Sequence, residues 1–363
     1  MRVLFLIDTM KIGGAQKVIL SHSEYLLSQG HEVTIVSIKK SNHYVLNSKI
    51  NFIEIVNYEE KILENIFFIL NTLSLQTKNV DIIIGFSDLI VNYIAHILAR
   101  TYNIPLLLST RTHLRALFQE NKKLLKINKD LCKSIYKRTP LVAPSNFIKN
   151  DLEKYLGIEG KNIIVLSNPI KKPYKKIVRK QTKKYISVIG RLSKVKNHAF
   201  ILKAFAKIEN KIDKKIYLCF VGEGEEKKSL QKLCKKLGIS KRVLFKGYQK
   251  NVGLFLKKSF FTIVASKREG YPNIIIESFI HKTLVLASDI DPIKELVENK
   301  VNGILFKKDN LKDLSKKMIL CLEKNLQHCT RNAYKKLDQY YEINERFEKI
   351  LKTTIQGYNI ENT

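Results

Sequence analysis

The feature that most constrains this chain is an alternation of short apolar, β-rich runs with longer amphipathic stretches, interrupted once and then resumed. Residues 3–7 form the first run; a helical pattern follows over 17–28, and 33–38 is the next run. Residues 52–56, 81–84, 106–109, 141–143 and 163–166 read as further strands with helices between most of them. Runs of this length, bounded by turn residues and alternating with helices, are the pattern of a parallel, doubly wound sheet. The alternation then stops. Residues 169–184 hold prolines and lysines and no acid, which reads as a basic linker. It resumes at 185–189, 217–221, 243–245, 261–264 and 284–287, and the chain is helical from 312 onward. Two α/β units are therefore expected, 1–168 and 185–342, each a Rossmann-like parallel sheet, with a C-terminal helix over 343–363 packing back toward the first. A chain of 363 residues also exceeds what one hydrophobic core usually supports.

Ligands of such sheets bind at the carboxyl ends of the strands, which directs attention to the loops there. Residues 268–278 read strand, loop, helix start, and set Glu269 and Glu277 eight positions apart. Gly270 permits backbone angles other residues avoid, and Pro272 suits the first helical position. The amides of Tyr271 and Asn273 then face an anion site, with Glu277 about two turns into the helix. Upstream, the loop 190–197 carries Arg191 and Lys196, also between a strand and a helix. Two carboxylates and two cations at strand ends of one sheet suit a phosphorylated polyol, although glutamates at such a junction also read as solvated. Gly222 and Gly247 follow two further strands of this sheet. In the first unit, Gly13 and Gly14 precede a helix, as a ligand-contacting loop or an ordinary tight turn would. Arg111 and His113 leave the strand 106–109 at its carboxyl edge. From 111 to 138 there are nine Lys or Arg against two acids, interleaved with apolar residues. That pattern fits a membrane-surface helix or an ordinary surface helix of a lysine-rich protein.

Composition narrows the classes. The formal charge is +32, but lysine supplies 54 of the 65 basic residues, whereas base readout and bidentate phosphate recognition favour arginine. An AT-rich genome accounts for part of the excess, and an anionic membrane surface suits the remainder better than specific nucleic-acid binding. The first eight residues are too short an apolar run, broken by Asp8, for a signal peptide. No run of eighteen apolar residues occurs; 89–99 is interrupted by Asn92 and His96. Five cysteines without metal-ligand spacing point to a reducing cytoplasm. Asp289 and Asp291 have the D-x-D spacing of a metal site, yet sit at a turn before Pro292 without supporting ligands.

Together these residues resemble the family-four retaining glycosyltransferases of the GT-B fold, over nearly the whole chain. The resemblance rests on Gly13-Gly14-Ala15-Gln16 with Gly30 to Val33, Ala143 to Asn146, Ser167-Asn168-Pro169, Gly190-Arg191 with Lys196-Asn197, Gly222-Glu223-Gly224, and Glu269 to Asn273 with Glu277. It is strongest to bacterial enzymes that build surface glycans on a polyprenyl-diphosphate carrier. The resemblance implies that Arg191 and Lys196 neutralise the donor diphosphate, that Glu277 receives the ribose hydroxyls, and that Glu269, supported by Gly270 to Asn273, holds the donor sugar. Gly13 and Gly14 would approach the phosphates and Gly247 the base. Retaining relatives have no established protein nucleophile; the acceptor attacks from the leaving-group face. A UDP-sugar donor, a lipid-linked glycan acceptor, peripheral attachment to the inner face of the cytoplasmic membrane, and no metal or other cofactor are likewise implied. Many relatives carry histidine where this chain has Arg111, so the cleft-facing polar group is Arg111 or His113. The competing readings are a nucleic-acid-binding protein, for which the aromatics would have to form a groove, and a GT-B nucleotide-sugar epimerase.

Overall fold

The structure, a computed structural model, describes residues 1–11, 13–41, 46–57, 62–120, 125–170 and 183–361. Most of the expected linker and the lysines at 122 and 123 lie outside the described residues. The chain divides into two compact units, Met1–Lys171 with Tyr340–Thr363, and Lys172–Gln339.

The first unit holds β1 (Arg2–Thr9), β2 (Glu32–Lys39), β3 (Asn51–Val56), β4 (Ile82–Gly85), β5 (Leu106–Ser109), β6 (Leu141–Ala143) and β7 (Ile163–Val165). They form one parallel sheet in the order β3-β2-β1-β4-β5-β6-β7. Its helices are α1 (Gly14–Ser28), α2 (Ile66–Ser74), α3 (Ile90–Tyr102), α4 (Leu114–Glu120), α5 (Leu125–Lys137) and α6 (Asn146–Leu156). The second unit holds β8 (Tyr185–Ile189), β9 (Tyr217–Val221), β10 (Val243–Phe245), β11 (Ser259–Val264), β12 (Leu284–Ser288) and β13 (Ile304–Phe306), ordered β10-β9-β8-β11-β12-β13. Its helices are α7 (His198–Ala206), α8 (Lys227–Lys236), α9 (Gly253–Lys257), α10 (Asn273–Ile280), α11 (Asp291–Lys294), α12 (Leu311–Glu323) and α13 (Gln327–Lys335). Then come α14 (Asp338–Tyr341) and α15 (Ile343–Glu361).

Strand β1 shows why the pattern gives this fold. Residues 3–7 are all buried, each stabilising the fold by about 1.5–3 kcal/mol relative to exposure. Their side chains alternate between the sheet's faces. Leu4 and Leu6 join Ile69 of α2, Ile94 of α3, Tyr136 of α5 and Leu152 of α6 in one core. Phe5 points the other way, against Phe347 of α15 at a ring separation of 6.2 Å. Asn92, which breaks the apolar run 89–99, is buried and donates to the Tyr136 hydroxyl at 2.8 Å. Among the described residues no helix is long and apolar enough to cross a membrane, and all five cysteines are buried and unpaired.

Three expectations need correction. Strand β13 was not anticipated: it is three residues long, between Gly303 and Lys307. The helical tail is broken into four helices. Lys324 is extended, and Asn325 Oδ1 accepts the Gln327 N–H at 3.2 Å, so a local side-chain bond ends one helix and starts the next. Helix α10 begins at Asn273, so Pro272 stands just before the first helical residue and Glu277 lies about one turn in, not two.

Candidate active site

In each sheet the strand order reverses once, and a crevice opens where neighbouring strands send their connections in opposite directions. In the second unit that point lies between β8 and β11, which are paired in the sheet. The loops leaving these two strands carry Arg191, Lys196 and Glu269, so three site candidates are brought to one edge by topology alone. The loops are tied directly, Lys267 donating its N–H to the Val195 carbonyl at 2.9 Å.

The polypeptide after β8 is shaped for this. Gly190 has φ +146°, a short 3-10 turn spans Lys194–Lys196, and Asn197 takes the left-handed conformation before α7. Lys196 Nζ lies 2.6 Å from Glu269 Oε1, and Ser266 Oγ donates to the same oxygen at 2.5 Å. The Glu269 side chain is 9% exposed and that of Lys196 30%. A cation and a carboxylate are thus held in contact at the mouth of a small pocket lined also by His198, Ile201 and Ile274. Arg191 is exposed, with no carboxylate partner among the described residues. A larger hollow, lined by Arg2, Glu32, Thr34 and Asn51, sits at the amino ends of β1–β3, the wrong end of a parallel sheet for a ligand.

Glycines hold the neighbouring loops at backbone distance. A Cβ on Gly222 (φ +144°) would collide with the Gly190 carbonyl, and one on Gly224 (φ +159°) with that of Leu192. Gly222 donates its N–H to the Gly247 carbonyl at 2.8 Å, and Leu192 to that of Glu223 at 2.9 Å. Gly222 and Gly247 thereby buttress the Arg191 loop. Gly270, Tyr271 and Asn273 are partly exposed, Pro272 is buried, and Glu277 is partly exposed on α10.

His198, the first residue of α7, was not singled out from sequence. It is buried edge-on against Phe220 at 5.5 Å, and its Nδ1 has no hydrogen-bond partner. Burial, with Lys196 adding to it, pushes its pKa down to about 4, so the ring is neutral. Its signal was position alone, two residues after Lys196. Asp289 and Asp291 are occupied structurally: Asp289 accepts the Lys308 N–H at 2.7 Å, and Asp291 pairs with Lys294 at 2.7 Å. No cluster of metal-ligating side chains occurs among the described residues.

The reversal in the first sheet lies between β1 and β4. Gly13, in extended conformation, precedes α1, which starts at Gly14; a Cβ on Gly13 would strike the Gln16 side chain. After β4, Asp88 precedes Leu89, whose φ of +48° is strained for a leucine. Asp88 Oδ1 accepts the Arg111 N–H at 3.1 Å. The Arg111 guanidinium lies 4.0 Å over the Phe86 ring and donates to Asn168 Oδ1 at 2.8 Å. Both residues keep some exposed surface, yet protein atoms crowd their charged groups. Burial pushes Asp88 up to about 6, opposed by hydrogen bonds from Thr112 and Arg111, and Arg111 down to about 9, opposed by Asp88. His22 of α1, stacked 3.9 Å from Phe347, is pushed down to about 3 by burial and then by Arg111. His113 is turned elsewhere: its Nε2 is 2.9 Å from Asp151 Oδ1, while Asp151 Oδ2 accepts the Leu114 N–H at 2.8 Å. Arg111 thus joins the cluster at the switch point, whereas His113 fastens α4 to α6.

Two parallel, doubly wound units, each with glycine-bearing loops and cations at its switch point, define the GT-B class of α/β proteins. The family described as Glycosyltransferase Family 4 matches residues 12–172, and that described as Glycosyl transferases group 1 matches residues 170–337. The chain is 29% identical, over 89% of its length and 90% of the relative's, to the N-acetylgalactosamine-N,N'-diacetylbacillosaminyl-diphospho-undecaprenol 4-alpha-N-acetylgalactosaminyltransferase of Campylobacter jejuni. A second Campylobacter jejuni relative, a GalNAc-alpha-(1->4)-GalNAc-alpha-(1->3)-diNAcBac-PP-undecaprenol alpha-1,4-N-acetyl-D-galactosaminyltransferase, is 25% identical over 99% of both chains. Among solved structures, Anabaena HepE in complex with UDP and glucose has the same fold, with a TM-score of 0.78 at 17% identity over 97% of this chain and 100% of that one. The chain belongs to the family-four GT-B glycosyltransferases.

Proposed function

We propose that this glycosyltransferase is a retaining hexosyltransferase that moves a sugar from a UDP-sugar to a growing glycan on a polyprenyl-diphosphate carrier, in surface-polysaccharide or lipid-linked oligosaccharide synthesis. The observation that carries the donor half is the Lys196–Glu269 contact at the switch point of the second sheet. The diphosphate oxygens would replace Glu269 as the partners of Lys196, with Arg191 as the second cation. Two fixed cations stabilise the charge that grows on the leaving diphosphate, and this needs no metal ion. Glu269, relieved of Lys196, would accept hydrogen bonds from the donor sugar, and Glu277 from the ribose. Arg111 takes the role that histidine has in many relatives. UDP and glucose are named with the HepE structure, and undecaprenol-linked glycans with both Campylobacter transferases. The enzyme would sit peripherally on the inner membrane face through residues 111–138, where about four engaged cations at about 1 kcal/mol each suffice for reversible attachment.

A panel of nucleotide-sugars incubated with the protein and a lipid-linked acceptor, read by mass spectrometry, tests this. The expected product is the acceptor plus one sugar from a UDP-sugar, with the anomeric configuration retained and no loss of rate in EDTA. Transfer from another nucleotide only, or inversion, would contradict the finer reading.

A further inference from the structure

Between Ile66 and Thr77 the chain carries no charged residue, although 27% of its residues are charged. This stretch includes α2, whose inner face buries Ile69 and Leu73 in the core. Its outer face is uncharged, with Phe67 and Phe68 beside Asn71, Thr72 and Ser74. Phe67 is 86% exposed, Phe68 57%, and Leu75, just past the helix end, 65%. A surface helix ordinarily turns polar residues outward, and contiguous exposed apolar area marks an interaction site. The neighbours extend the patch. Helix α2 packs on α3 and α3 on α5, and Ile97 and Tyr102 of α3 and Leu131 of α5 are also exposed. Lys78, Arg100, Lys133 and Lys137 are exposed around them, and neither α2 nor α3 contains an acid.

We propose that this row of helices docks on an anionic lipid bilayer, with Phe67, Phe68 and Leu75 entering the acyl boundary while the surrounding cations meet the headgroups. The inference rests on the membrane reading given under the proposed function and adds a component that reading lacks: apolar insertion, on a helix outside residues 111–138. The patch fits a bilayer better than a protein. Its exposed charges are mostly basic, with Glu64 before α2 and Asp130 on α5 as acids beside it, around an uncharged ridge. A basic-rich polar border around apolar residues is the composition of interfacial helices. Two copies of the chain would bring +32 against +32, which disfavours self-association through a basic face. Salt screens the headgroup attraction but not the burial of phenylalanine.

The test compares the full-length protein with a Phe67→Ser/Phe68→Ser variant in sedimentation with phosphatidylglycerol-containing vesicles, at about 0.1 M and about 0.5 M salt. The wild type is expected to sediment at both salt levels. The variant should bind about tenfold or more weakly at low salt and lose binding at high salt, with unchanged melting temperature and unchanged donor hydrolysis without lipid. A wild type released by salt as readily as the variant would overturn the insertion while leaving the electrostatic membrane reading standing. A wild type that ignores vesicles at any salt would overturn both. A lipid-free wild type that is dimeric, and monomeric once Phe67 and Phe68 are replaced, would assign the patch to self-association and overturn the proposal.

Discussion

At the switch point of the second sheet, Lys196 and Glu269 touch at 2.6 Å while Lys196 keeps 30% of its side chain in solvent. At that of the first, Asp88 and Arg111 are crowded by Phe86, Thr112 and Asn168, beside a strained Leu89, and burial moves both away from their ordinary pKa values. The same topological position is thus built in two ways. Lys196, the exposed member of its pair, can exchange Glu269 for a ligand anion without losing a counter-charge, while the buried Glu269 keeps the Ser266 hydroxyl as a donor. An enclosed pair cannot exchange so readily, since removing a partner strands a buried charge. Under the proposed function, the second unit would bind and release a diphosphate and the first would hold a cation in a fixed place.

The largest expected effect separates these roles in activity. Lys196→Ala and Glu269→Gln should each lower turnover at least about a hundredfold, about 3 kcal/mol of lost transition-state stabilisation, without changing the melting temperature appreciably. Near-wild-type rates in both would remove the second site from the mechanism.

Next comes a pH effect in the first unit. The folded pKa of Asp88 lies above its ordinary 3.8, at about 6. Its contribution to stability is thus fully present below about 3.8 and is lost as pH rises through about 6. Asp88→Asn removes that loss, so the variant should gain on the wild type by about 2–3 kcal/mol between pH 4 and 6 and then run parallel to it. Denaturant midpoints measured across this range check the sign. A constant difference would mean that Asp88 is as well solvated as Lys196 and would erase the contrast.

Gly222→Ala should act more weakly, through the backbone. Its Cβ would meet the Gly190 carbonyl at a φ of +144°, so a stability loss of about 2 kcal/mol is expected, with weakened donor binding as the Arg191 loop shifts. Unaltered stability and affinity would show that the close loop packing is dispensable.

The architecture was legible in the sequence because buried parallel strands are continuous apolar runs, as residues 3–7 and 261–264 illustrate. Strand β13 was not, since Ile304–Phe306 is too short to show a period. The breaks in the C-terminal helices hid for a different reason: lysine and leucine favour helix throughout, and only Asn325 marks the interruption before α13. At the site, glycine and charge motifs pointed to Lys196, Glu269 and Gly222. His22, Asp88 and His198 carry no motif. A single polar residue in an apolar stretch reads as a satisfied core position until the fold shows what crowds it.

Calorimetric titration with UDP and with UMP tests most directly whether Lys196, held on Glu269, is the diphosphate site. The account predicts that the wild type binds UDP at least about tenfold more tightly than UMP, and that Lys196→Ala abolishes this preference while still binding UMP. A variant that retains the full preference for the diphosphate would contradict it.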